Sequence, residues 1–105
     1  MSKTKLQDFV KYGELFDVYG KLLNDDRQEI MKDYFQFNMT LAEISQERGV
    51  SRQAVLDSIS KSCNKLDEFE EKLGFLKLKI ALLEIKNLSD KDEILKKIEN
   101  ILKEI

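Results

Sequence analysis

Thr40-Leu41-Ala42-Glu43-Ile44-Ser45-Gln46-Glu47-Arg48-Gly49-Val50-Ser51-Arg52-Gln53-Ala54-Val55 is the stretch whose reading decides the fold. Thr40 and Glu43 stand three apart, the spacing of a capping box. The threonine oxygen accepts the Glu43 amide and the glutamate reaches back to the Thr40 amide. Leu41 and Ile44 are expected to face inward. Gly49 stands where the chain leaves the helix through positive φ, a conformation that glycine reaches cheaply. Ser51 then caps a second helix, with Val55 and Ile59 on its inner side. A short capped helix, a glycine turn and a second capped helix make a helix-turn-helix over residues 40–65. Ala42 and Ser45 are expected to let the two helices approach, and Val50 and Val55 to fill the angle between them.

Upstream, Phe9, Tyr12, Leu15, Phe16, Tyr19, Leu22 and Leu23 recur at steps of three and four, which predicts a helix over residues 6–23. Gly13 inside it costs roughly 1 kcal/mol, and Gly20 is placed to end or bend it. Asn24 is an N-cap, with Asp25 and Asp26 in the favourable first turn of a helix that reaches Tyr34 or Phe35 and buries Ile30, Met31 and Tyr34. Phe37-Asn38-Met39 is a short connection. Downstream, Val55, Ile59, Ser62, Leu66, Phe69, Leu73, Leu76, Ile80 and Leu83 alternate steps of four and three, a heptad-like seam. Gly74 leaves open whether residues 52–86 form one helix or two. Leu76-Lys77-Leu78-Lys79-Ile80 alternates like a strand, but it has no partner strand and helix-forming flanks. Ser89-Asp90 begins a last helix with Ile94, Ile98, Ile101 and Ile105 on one face. The fold class is therefore all-α. A helix-turn-helix core of three or four helices over residues 1–66 is expected to continue into a helical extension over residues 67–105, the two forming one continuous unit.

Composition narrows the function. With 105 residues and 42% hydrophobic, the chain can build one domain with a core. There is no proline and no histidine, and Cys63 is the only cysteine. An internal disulfide is impossible, a zinc site lacks its usual ligands, and no other metal or cofactor is implied. Residues 1–8 hold no apolar signal segment and no run approaches a membrane span, so a cytoplasmic protein is expected. Ten basic residues face ten acidic ones up to Lys65, and eight face ten beyond it, for a net charge of −2. A chain devoted to the phosphate backbone would be strongly basic. No phosphate-binding glycine loop and no nucleophile paired with a base is present, so an enzyme is not expected.

Leu23-Asn24-Asp25-Asp26-Arg27-Gln28-Glu29-Ile30, Thr40-Leu41-Ala42-Glu43-Ile44 and Gly49-Val50-Ser51-Arg52-Gln53-Ala54-Val55 together resemble region 4 of bacterial sigma factors. A closer resemblance is to the YlxM family of helix-turn-helix proteins. It is carried by Leu15-Phe16-Asp17-Val18-Tyr19-Gly20-Lys21-Leu22-Leu23, by Ser51-Arg52-Gln53-Ala54-Val55-Leu56-Asp57 and by Glu70-Glu71-Lys72-Leu73-Gly74, and it covers residues 11–80. The resemblance implies a regulatory protein tied to the signal recognition particle, encoded beside that particle's protein and its receptor. The sigma likeness implies nucleic-acid binding, to DNA or to the particle's RNA. The sequence departs from the family at Leu56, where tyrosine is common, and at Ser58, where asparagine is common.

With Val55 and Ile59 turned inward, 100° per residue places Gln53, Asp57, Ser60, Lys61 and Asn64 on the outward face, flanked by Ser51 and Arg52 at the helix start. The candidate nucleic-acid contacts are Ser51, Arg52, Gln53, Ser60, Lys61 and Asn64. Gln53 and Asn64 suit base edges, and Arg52 suits guanine or phosphate. Asp57 repels phosphates, so binding is expected to be weak, and Arg52 and Lys61 equally fit an ordinary solvated face. Tyr12, Tyr19 and Tyr34 are assigned to the core, Asp67-Glu68-Phe69-Glu70-Glu71 to a solvated surface around Phe69, and Cys63 to a buried inert thiol. The seam Leu66, Phe69, Leu73, Leu76, Ile80, Leu83 either packs on the chain's own last helix or joins two copies as a homodimer. Two functions stay open. One is a regulatory nucleic-acid-binding protein of the signal recognition particle pathway. The other is an adaptor whose helix-turn-helix is structural and whose C-terminal helices bind a protein, such as the particle's protein component.

Overall fold

The computed structural model describes the chain from Ser2 to Ile105, with side chains from Asp8 onward. The signal-segment reading of residues 1–8 rests on side chains that, except for that of Asp8, lie outside those described. The protein is all-α. Among the described residues there are six helices and no strand: α1 Ser2–Tyr19, α2 Asp25–Phe35, α3 Leu41–Arg48, α4 Arg52–Leu73, α5 Phe75–Lys86 and α6 Lys91–Glu104. Residues 52–86 form two helices. Gly74 sits at φ 66°, in the left-handed region, and separates α4 from α5. The chain divides into two compact units, Met1–Leu73 and Gly74–Ile105. α4 runs uninterrupted through residues 66 and 67. No helix among the described residues is long and apolar enough to cross a membrane.

In the first unit α4 is the central helix, and α1, α2 and α3 all pack on it. The core is Leu15, Phe16, Tyr19, Leu23, Ile30, Met31, Ile44, Val55, Ile59 and Leu66. Leu22, read as part of the α1 stripe, is exposed. The α-helix ends at Tyr19 and a 3₁₀ turn takes Gly20–Leu22. That tighter winding carries Leu22 off the apolar face while the next residue, Leu23, is buried. Asn24 caps α2 by accepting the Arg27 amide at 2.8 Å. Tyr34 is only half-buried, as is Tyr12, so of the three tyrosines only Tyr19 is a fully buried core residue.

The acidic run 67–71 is not simply a solvated surface. Tyr12 Oη donates to Asp67 Oδ2 at 2.8 Å, Lys11 pairs with Asp67 at 3.3 Å, and Tyr19 Oη donates to Glu70 Oε1. Two of the carboxylates thus dock α1 on α4, because Asp67 and Glu70 lie three apart on one helix face.

The second unit is a hairpin of α5 and α6. The stretch 76–80 is helical, as its flanks require. Asp90 caps α6 by accepting the Asp92 amide, and Lys77 pairs with Glu104 at 3.5 Å. Neither helix has a buried residue. Phe75, Ile80, Leu82, Leu83, Leu95, Ile98 and Leu102 are exposed.

Candidate nucleic-acid interface

The helix-turn-helix forms as its local chemistry dictates. Both halves of the capping box are present: Glu43 N donates to Thr40 Oγ1 at 3.1 Å and Thr40 N donates to Glu43 Oε1 at 2.9 Å. The Thr40 backbone amide, then its hydroxyl, hold the Glu43 carboxyl below the usual carboxylate range. Gly49 closes α3 at φ 68°. Ser51 Oγ accepts the Ala54 amide at 3.0 Å and starts α4. Ile44 and Val55 are completely buried and Ser45 nearly so.

Two expected spacers play no such part. Ala42 is exposed, and Val50 is 46% exposed. The amide of Val50 returns to Ser45 O at 3.1 Å, and this closure of the turn leaves its side chain outside. Ile44 and Val55 are the fully buried residues there, with Ser45 nearly so.

A residue that sequence reading passed over fixes the geometry. Arg48, at the end of α3, reaches three carboxylates of α2: Asp33 at 3.0 Å, Glu29 at 3.5 Å and Asp26 at 3.8 Å. Asp26, Glu29 and Asp33 follow at steps of three and four, so they share one face of α2. That spacing was visible, but its partner lay across a loop that sequence alone does not fold.

The outward face of α4 carries Gln53, Asp57, Ser60, Lys61 and Asn64, all exposed, and Ser51 and Arg52, also exposed, flank it at the helix start. The structure brings them together along one helix, in two clusters. Arg52 and Gln53 lie in the first turn, while Ser60, Lys61 and Asn64 lie two to three turns later. Among the described residues neither Arg52 nor Lys61 has an ion-pair partner. Gln53 Nε2 donates to Asp57 Oδ1 at 2.9 Å. This contact engages the acid at the centre of the face and occupies one of the two Gln53 amide hydrogens. The α3 surface beside it exposes Glu43 and Glu47. In a helix-turn-helix on duplex DNA the first helix crosses the phosphate backbone, and these two acids oppose that contact.

Cys63 lies on the neighbouring side of α4, half-buried. Burial, then Asp67 and Asp8, push its thiol from 9.0 up to about 12. Among the described residues no cluster of potential metal ligands exists. The expected seam is divided. Leu66 is wholly buried, and the Phe69 ring lies 5.9 Å from that of Tyr19, while Leu73 is exposed. Beyond Gly74, Leu76 is half-buried, and Ile80 and Leu83 are exposed.

Comparison with known proteins agrees with this architecture. The model of the UPF0122 family, described as "Putative helix-turn-helix protein, YlxM / p13 like", matches residues 6–105. A UPF0122 protein of Fusobacterium nucleatum is 34% identical over 101 residues, covering 92% of this chain and 98% of that relative. One from Thermoanaerobacter sp. is 37% identical over 109 residues, covering 93% of each. One from Symbiobacterium thermophilum is 42% identical over 71 residues, covering 68% of this chain and 66% of the relative.

Proposed function

Because the chain belongs to the UPF0122 family of YlxM/p13-like helix-turn-helix proteins, we propose that it is a regulatory, non-enzymatic nucleic-acid-binding protein that works in the cytoplasm through α4. The observation that carries this reading is an intact helix-turn-helix whose exposed cations Arg52 and Lys61 have no ion-pair partner among the described residues. Ser51, Gln53, Ser60 and Asn64 supply the polar groups around them. The family resemblance supports a role in the signal recognition particle pathway, with that particle's RNA or duplex DNA as ligand. An Arg52→Glu, Lys61→Glu double variant is expected to lose binding to both at low salt. Unchanged binding removes this face as the site.

A second reading, favoured by the α5–α6 hairpin, is a protein-interaction adaptor. An apolar helix face is normally covered, and monomers rarely leave contiguous apolar patches above a few hundred Å². Ile80, Leu82, Leu83, Leu95 and Leu102 are all exposed on a unit of about thirty residues that buries none of its own. A second copy of the chain suits this surface, since its seven lysines and six carboxylates nearly cancel. Sedimentation at micromolar concentration is expected to show a dimer, and a single 12.3 kDa species removes it. Recovery of the particle's protein in a pull-down separates the two functions. Nuclease-sensitive recovery supports the first and nuclease-resistant recovery the second.

A further inference from the structure

We propose that the cleft between α1, α2 and α4 holds an unpaired nucleobase of a single-stranded nucleic acid. This rests on the nucleic-acid reading above and narrows it from duplex to single strand. The cleft encloses about 340 Å³, at the lower end of the range for small-ligand sites. One side is aromatic. The rings of Phe9, Tyr34 and Phe35 cluster with centroids 4.9 to 5.7 Å apart, at interplanar angles of 32° to 86°. All three are only half-buried. Rings set mostly edge to face leave flat surface uncovered, and a flat partner can stack on it.

The other side is α4. Leu56, 42% exposed, stands at the mouth. Ser60 and Asn64 line the cleft and belong to the same outward row as Lys61. A nucleobase has apolar faces and a hydrogen-bonding edge, and the cleft offers both counterparts: rings for the faces, and the Asn64 amide and Ser60 hydroxyl for the edge. A purely apolar side chain from a protein partner would leave those polar groups unused. Lys61, next to Ser60, is placed to meet the adjoining phosphate.

Charge points the same way. Duplex affinity is built from phosphate contacts, and this face has few cations beside exposed acids. Asp8 adds a carboxylate to the cleft wall, which a phosphate would avoid and an uncharged base need not. Single-strand affinity also draws on base stacking, which needs no cation.

The test measures fluorescence anisotropy of the full chain at low salt with three probes of one sequence. They are a single-stranded RNA of about 12 nucleotides, the same strand as DNA, and the DNA duplex. At least one single strand is expected to bind tenfold or more tightly than the duplex, and the RNA and DNA arms identify which. Tyr34→Leu should weaken that binding by about 5- to 100-fold, the loss expected for one stacked base. Leu56→Glu should weaken single-strand binding more than duplex binding, because its carboxylate stands in the cleft. Leu56→Tyr, which adds a ring at the mouth, should strengthen it. Leu56 is exposed, so its variants test the cleft even if Tyr34→Leu unfolds the chain. Duplex binding without single-strand preference overturns the cleft and leaves the helix-turn-helix reading standing. So does single-strand binding that the Leu56 variants do not change. Binding to none of the three overturns both.

Discussion

At the scale of single residues, the helix-turn-helix rests on two local devices. Thr40 satisfies the Glu43 amide from its side chain, and Gly49 turns the chain at φ 68°. Thr40→Ala is expected to lower stability by about 1 kcal/mol. Gly49→Ala should cost about 1–2 kcal/mol, although nothing lies within 4 Å of where its Cβ would be, so the cost is purely conformational. Urea denaturation of both variants reads these values, and an Ala at 49 as stable as glycine would contradict the turn. Cys63 belongs to the same scale. Its thiol, pushed up to about 12, is almost wholly protonated at neutral pH. Because the thiolate is the nucleophile, iodoacetamide is expected to modify native protein at least about tenfold more slowly than urea-unfolded protein.

Between elements, polar contacts add to the apolar core in setting one helix against another. Arg48 ties α3 to α2, while Tyr12 and Tyr19 tie α1 to Asp67 and Glu70 on α4. The strongest ion pair is Arg48 with Asp33, whose side chains are 22% and 16% exposed. The pairs to Asp26 and Glu29, more than two-thirds exposed, contribute little. Burial, and then the hydrogen bond to Asp67, raise the Tyr12 phenol above its ordinary value of 10.0. Above about pH 10 the unfolded chain therefore loses this proton while the folded chain keeps it. The docking contribution is complete below that pH and is lost as pH rises toward the folded-state value. The melting temperature is expected to fall on the alkaline side, and Tyr12→Phe should flatten that fall. An identical alkaline slope in the two proteins would show that Tyr12 does not couple docking to pH.

For the whole molecule, charge sets the character of any nucleic-acid binding. The chain carries a net charge of −2, and Arg52 and Lys61 are the candidate phosphate contacts on α4. Two phosphate contacts on duplex DNA predict a slope of log affinity against log salt of about −2. A slope several times steeper would mean that other lysines make the contacts. The Arg52→Glu, Lys61→Glu variant should bring any remaining slope toward zero.

The sequence by itself determined the local structure. Helix periodicity, the capping box, the N-caps at Asn24 and Ser51, the glycine at 49 and the all-α class are written in residues within a turn or two of each other, and chemistry over that span needs no tertiary context. It also marked the exposed row from Gln53 to Asn64, because a 100° step with Val55 and Ile59 buried leaves no other outward side. Tertiary structure decided what depends on separate helices meeting. It put Val50 and Ala42 outside, gave Arg48 its three carboxylates, and turned part of the acidic run into a docking surface for tyrosines 51 and 55 residues away. It split the seam at Gly74, since a heptad pattern records spacing and not the αL residue that breaks the axis. It also brought Phe9 of α1 and Tyr34 and Phe35 of α2 beside Ser60 and Asn64 of α4. Side chains from three helices converge there, and no periodicity within one helix carries that information.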